Sequence, residues 1–150
     1  MKKMCALALA TVVLFTLWAA WAEDEKDIPV LENAEHHVSI QDVWLSNAED
    51  YVYVALAWFH ETEEALNFWL TVTVEAYQDE TELMRVFLPE DLDVQLEEVK
   101  ASVVQEVRRV FALTDSEADL EILLKIPSNP GLDELRVTYP LEALRRADDE

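Results

Sequence analysis

The sequence predicts an all-β fold, a two-sheet antiparallel sandwich of about seven strands. Several segments alternate in hydropathy with period two and are rich in β-branched and aromatic side chains. Short polar connections separate them. No strand alternates regularly with a long helix, which argues against a parallel α/β sheet.

The elements follow in chain order. Met1-Lys2-Lys3 is a basic start, residues 4–22 are apolar apart from Thr11 and Thr16, and Ala20-Trp21-Ala22 precedes Glu23-Asp24-Glu25. These are the three parts of a secretory signal peptide, with cleavage expected after Ala22. The apolar run is also long enough to span a bilayer as an uncleaved anchor. Both readings place the rest of the chain outside the cytoplasm, as a secreted, periplasmic or cell-surface protein. Residues 23–36 are acidic, contain Pro29 and lack an apolar period, and read as a disordered spacer.

The domain is expected over residues 37–140. Residues 51–59 place Val52, Val54, Leu56 and Trp58 on one face, and Tyr51, Tyr53, Ala55, Ala57 and Phe59 on the other. Residues 68–77 set Phe68, Leu70, Val72, Val74 and Ala76 against Trp69, Thr71, Thr73, Glu75 and Tyr77. Leu120, Ile122, Leu124 and Ile126 alternate with Glu121, Leu123 and Lys125. Weaker strand patterns cover 38–45, 83–88 and 135–139. Ser128-Asn129-Pro130-Gly131 is a turn, with proline fixing φ and glycine allowing a positive one. Gly131 is the only glycine, so the other turns must use residues such as Asn47, Asp50, Asn67, Asp79 and Asp115. Residues 99–111 fit a helix through Val99, Val103, Val107, Val110 and Phe111, or a valine-rich strand with poor alternation. Residues 141–150 form a short helix or tail, the helix spanning 141–146 behind Pro140.

Composition limits the function. Cleavage leaves 128 residues, a single-domain length. The only cysteine, Cys5, lies in the signal segment, so the exported domain has no disulfide and depends on its core. Without Lys2 and Lys3, 9 basic residues face 32 acidic ones, a net charge of −23. Such a surface repels nucleic acid and anionic lipid headgroups. No membrane contact is expected for the mature domain unless residues 4–22 stay as an anchor.

Sites of chemistry are sparse. His36 and His37 are adjacent, so a strand points them to opposite faces. His60 opens an acidic loop, where Glu61 or Glu63 is in reach for a metal. The plainer reading of all three histidines is a solvated loop. The acidic stretches 89–93 and 115–119 space oxygen ligands as calcium requires, but lack the glycine and distal glutamate of an EF-hand. No nucleophile with a base, and no phosphate-binding glycine loop, is recognisable. Tyr51, Tyr53, Trp69 and Tyr77 lie on the less apolar sides of their strands. They form a platform for a glycan or protein partner if exposed, or pack under a neighbouring element if not.

Several segments in order resemble a family of small secreted or lipid-anchored bacterial immunoglobulin-like domains of unknown function. They are residues 51–59, the polar loop 61–67, residues 68–83 with the sequence AYQD-x-x-EL near their end, and the later segments 104–113 and 119–126. The resemblance implies an immunoglobulin-like sandwich and makes 99–111 a strand. In the family a glycine stands where this chain has Glu80, and a Pro-Gly turn where it has residues 97–100. No lipid-attachment cysteine precedes Glu23, which fits a free or signal-anchored protein. The family carries no catalytic residues to transfer. The expectation is an exported non-enzymatic domain that binds a protein or glycan at the cell envelope, with no cofactor or metal. A calcium-stabilised module and an acidic-site hydrolase are the alternatives.

Overall fold

The computed structural model describes residues 27–148, so the signal segment 1–22 and residues 23–26 lie outside the described residues. Among the described residues the fold is all-β, with eleven strands in three antiparallel sheets. The largest sheet has the order β1 (Val30–Glu32), β2 (His36–Leu45), β3 (Tyr51–His60), β9 (Gln105–Ala112) and β7 (Arg85–Val86). The second has the order β11 (Gly131–Tyr139), β10 (Leu120–Ser128), β5 (Thr73–Gln78) and β6 (Thr81–Glu82). A short pair, β4 (Leu66–Asn67) with β8 (Glu98–Val99), completes the set.

The two larger sheets share one core. Val52, Val54, Leu56 and Trp58 of β3 are buried with Val107 and Phe111 of β9, and with Leu120, Ile122, Leu124 and Ile126 of β10. The alternation read for β3 and β10 therefore gives the inward faces. In β2 the alternation breaks at Gln41, where a bulge lies between Ile40 and Asp42. The extra residue keeps Val38 and Ile40 before it, and Val43 and Leu45 after it, on the buried side. Trp58 meets Phe68 edge-on at 5.8 Å between ring centroids, an arrangement favoured by aromatic quadrupoles.

Several elements differ from the sequence reading. The acidic spacer gives way to structure at Val30, because Leu31 is buried and β1 pairs along β2. The strand read over 68–77 starts only at Thr73. Before it, Phe68–Thr71 is one helical turn, α1, because the Asn67 side chain accepts from the Leu70 backbone N–H at 2.9 Å. Leu70 consequently points outward and is 81% exposed. Residues 89–96 form a second helix, α2 (Pro89–Leu96), with proline in its first turn followed by Glu90 and Asp91 at the positive end of its dipole. The segment 99–111 is neither one helix nor one strand: β8 ends at Val99, and β9 starts at Gln105 after a turn in which Ser102 has φ 67°. The helix read over 141–146 is a single 3-10 turn, Leu141–Ala143. Beyond it the chain lies along β2, where Arg145 and Ala147 bond the backbone of Leu45.

The β5–β6 hairpin uses a two-residue loop, with Gln78 paired to Thr81 and positive φ at both Asp79 (48°) and Glu80 (63°). Two successive positive values mark the turn whose twist matches a tight hairpin, usually made with glycine. Gln78 itself faces inward and is 2% exposed. Its amide donates to the carbonyls of Asp115 and Ala118, both at 2.9 Å. Its carbonyl oxygen accepts from the backbone N–H of Thr114 at 3.0 Å and of Asp115 at 3.2 Å. One side chain thus fastens the loop by which the chain leaves β9 in one sheet for β10 in the other.

Gln78→Ala is expected to lower unfolding free energy by about 2–3 kcal/mol, because the loop loses four side-chain-to-backbone hydrogen bonds together. Urea titration checks this, and a loss below about 1 kcal/mol would show that the loop is held by other contacts. Glu80→Gly is expected to act oppositely, raising stability by about 0.5–1 kcal/mol as relief of the left-handed backbone exceeds the added chain entropy. The same titration should show a higher midpoint.

Candidate functional site

The aromatic residues singled out in the sequence are not brought together. Tyr51 and Tyr53 lie on the outer face of the five-stranded sheet, Tyr77 on the outer face of the four-stranded sheet, and Trp69 on α1 at one edge. Tyr51 is 38% exposed. Tyr53 is enclosed by neighbours: Trp44 stacks on it at 5.4 Å from β2, and the Arg108 guanidinium sits 5.4 Å from its ring centre on β9. Arg145 covers Trp44 in turn at 5.0 Å. These rings are cross-strand packing, with little free face for a sugar. The Tyr77 hydroxyl donates to the Glu75 carboxylate at 2.7 Å, beside Lys125 at 3.4 Å from the same carboxylate. That bond holds the Tyr77 phenol up at about 12 and the Glu75 carboxyl below its ordinary value.

The histidines are structural rather than solvated. His36 and His37 do point to opposite faces: His36 is buried, and His37 stacks on Phe59 at 4.7 Å. His60 is fully buried with both ring nitrogens engaged, Nε2 with the Val99 carbonyl and Nδ1 with the Thr62 hydroxyl, each at 2.8 Å. Burial holds the His36 imidazole below its ordinary value. The acidic stretches also have other duties. Residues 89–93 begin a helix, and Asp91 pairs with Arg108 at 3.0 Å. Asp115 accepts from the backbone N–H groups of Glu117 and Ala118 at 2.7 and 2.8 Å, which lowers its carboxyl pKa. Among the described residues no group of three or more His, Cys, Asp or Glu is placed to hold a metal ion.

The most unusual chemistry lies at the edge of the sandwich that α1, β7 and α2 close. Inward positions along β9 are Gln105, Val107, Arg109 and Phe111, which pair with Trp58, Leu56, Val54 and Val52 of β3. A guanidinium therefore replaces an apolar group on a core-facing row, and Arg109 is only 5% exposed. Its charge lies 4.7 Å from the Trp69 ring and 5.4 Å from the Phe68 ring. Ring faces stabilise the cation, but they do not accept its in-plane N–H groups. Nε and Nη1 are buried without a hydrogen-bond partner. Desolvation, with the nearby Arg85 charge, pulls Arg109 down to about 10, so it remains protonated at neutral pH.

Beside this cation, apolar Trp69, Phe87 and Leu92 are mixed with Arg85, Asp91, Gln95 and Arg108. Leu70 and Phe87 are 81% and 59% exposed, and Phe87 lies 5.6 Å from Trp69. Helix α2 shields the neighbouring part of β9, with Gln95 donating to the Arg108 carbonyl at 2.9 Å and Gln105 donating to the Val94 carbonyl at 2.6 Å. The sequence reading assigned Trp69 to this role and missed Arg109, Arg85, Leu70 and Phe87. The signal was the row 105–107–109–111, in which a single cation interrupts an inward alternation.

No protein-family model matches the chain, and no curated protein sequence matches it. Among solved structures, it is similar to that of a putative lipoprotein (ycdA) from Bacillus subtilis, with TM-score 0.57 and 15% sequence identity. The match covers 78% of this chain and 40% of that one, so this chain spans less than half the length of that protein. At this identity the likeness is one of fold.

Glu75→Gln is expected to bring the Tyr77 phenol from about 12 toward its ordinary value of 10, because the charged acceptor is removed. Ultraviolet titration of the tyrosines should show one phenol moving to lower pH in the variant, and an unchanged curve would contradict the Glu75–Tyr77 bond.

Proposed function

We propose that this chain is an exported, non-enzymatic binding domain on an immunoglobulin-like plan, which engages a component of the cell envelope through the edge built by Trp69, Leu70 and Phe87. The observation that carries the reading is exposed Phe87 beside Trp69, with exposed Leu70 next in α1, at the edge where Arg109 lies against the Trp69 ring. Large exposed apolar side chains grouped together favour an interaction surface over a merely solvated one.

Strand order supports the plan. The succession β2-β3-β9-β7 facing β5-β10-β11 follows the two-sheet order of immunoglobulin constant domains, with β1 added at one edge and β6 at another. Export is supported by the basic start, apolar run and Ala20-Trp21-Ala22 site, and the structural likeness to a protein described as a lipoprotein accords with it. Among the described residues no helix is long and apolar enough to cross a membrane. The partner is taken as a protein, since the exposed side chains at this edge, Leu70 and Phe87, are apolar, while Tyr53, one of the rings expected to serve a glycan, is covered by Trp44 and Arg108.

Leu70→Ser and Phe87→Ser are expected to leave stability within about 0.5 kcal/mol, because both side chains are mostly solvated already. Each should remove envelope proteins retained by the immobilised wild-type protein. Identical retention by wild type and both variants would reject this edge as the binding surface.

A further inference from the structure

Two of the three histidines are buried against each other at one end of the sandwich. His36 opens β2, His60 closes β3, and the two are direct partners in the β2–β3 ladder. Both face inward, 4% and 0% exposed, with ring centroids 6.5 Å apart and the Trp58 ring 5.3 Å from His60. Several segments are tied together at this end. The Asn33 amide donates to the Pro127 carbonyl and to Asp133 of the β10–β11 hairpin, and its side-chain oxygen accepts from the His36 backbone N–H at 2.9 Å. The Glu61 N–H donates to the Glu35 carbonyl, and the Ser102 N–H to the His60 carbonyl, both at 2.8 Å. His60 Nε2 donates to the Val99 carbonyl of β8. β8 in turn pairs with β4, whose Asn67 caps α1 and so fixes the turn that carries Trp69 and Leu70.

A second proton has no suitable place on His36 while this end is closed. In an imidazolium both ring nitrogens donate, and His36 Nδ1 is buried without a hydrogen-bond partner. Burial is the largest influence on this ring and lowers its pKa; exposed Glu35 raises it by less, and His60 lowers it further. Other charges at this end are turned away. Glu61 accepts from the Ser102 hydroxyl, His37 pairs with Glu32 on the opposite face, and Asp133 is bonded to Asn33. The remaining charged residues of segments 61–64 and 98–100 are exposed. Opening this end wets His36, so the open form takes up a proton that the closed form excludes. Stability of the closed end is therefore complete above the ordinary histidine value of 6.5, and is lost as pH falls through the lowered value of the buried ring.

We propose that His36 is a pH-sensitive latch: mild acid protonates it, the contacts among segments 33–36, 60–62 and 98–102 open, and α1 loses the support that positions its apolar edge. The release of a partner from that edge rests on the binding reading above, whereas the latch itself does not.

The test is native-state amide hydrogen exchange on the purified protein at about pH 7 and about pH 5, corrected for intrinsic exchange rates. One imidazole that titrates normally in the open form and stays neutral in the closed form changes the opening equilibrium by up to about 25-fold over that interval. The expected result is a loss of protection of about five- to 25-fold at the Glu61 and Ser102 N–H groups, with the amides at the centre of β10 unchanged. His36→Phe keeps a buried ring that takes up no proton, and should make protection at Glu61 and Ser102 independent of pH. NMR of the wild-type protein, which needs no variant, should show the His36 Cε1–H titrating below 6.5. Undiminished protection in acid, an equal loss throughout the sheets, an equal loss in His36→Phe, or an ordinary His36 titration would each overturn the latch. Retention of envelope proteins by the immobilised protein is compared at the same two pH values and should fall in acid. Opening with unchanged retention would overturn the coupling to α1, while no retention at either pH would reject the binding reading and leave the exchange result to decide the latch.

Discussion

The side chain of Gln78 occupies the place where the chain passes from one sheet to the other. It reaches across from the hairpin end of β5 and satisfies backbone groups of Thr114, Asp115 and Ala118 in the β9–β10 loop. The Gln78 side chain is itself buried, so its amide and carbonyl each need a protein partner, and the loop backbone supplies them. With the loop held there, β9 and β10 enter opposite sheets in register, and their inward rows meet in one core. In a domain without disulfides, a fully satisfied polar side chain supplies the directional link that apolar packing lacks. Asp115 assists within the loop by accepting from Glu117 and Ala118.

This also explains the most distinctive short stretch of the sequence, AYQD. Ala76 and Gln78 face inward while Tyr77 faces out, and Asp79 starts the two-residue turn. The alternation alone distinguished the core side from the outer side here. That the glutamine is the inward polar residue, with backbone groups 36 to 40 positions away as its partners, depends on tertiary contacts that no local pattern encodes.

Much of the fold was legible because period two leaves little choice. Val52 to Trp58, and Leu120 to Ile126, bury the rows the sequence marked, and Ser128 to Gly131 makes the predicted hairpin turn. One miss has a plain local cause, a capping interaction that overrode a periodic pattern. Phe68, Leu70 and Val72 alternate as a strand would, yet the Asn67 cap turns the backbone and exposes Leu70. Pro89-Glu90-Asp91 carries the marks of a helix start, but the same acids also resemble calcium ligands, and only Arg108 decides between the two. The candidate site was the least legible part. Trp69 could be picked out from its strand-like pattern, whereas Arg109 acquires its meaning only once β9 is known to face β10 across the core.

The arginines that sit on rings have a wider effect on the molecule. Arg108, Arg109 and Arg145 each lie against Tyr53, the Phe68–Trp69 pair or Trp44. The chain has only 11 basic side chains in all, and three of them lie against aromatic neighbours. Carboxylates far outnumber cations over the whole chain, with 32 acidic residues against 11 basic ones, so its potential is strongly negative. Two copies meeting in dilute buffer repel each other over about 10 Å at 0.1 M ionic strength, and added salt shortens that range. Mutual repulsion therefore opposes self-association at low salt.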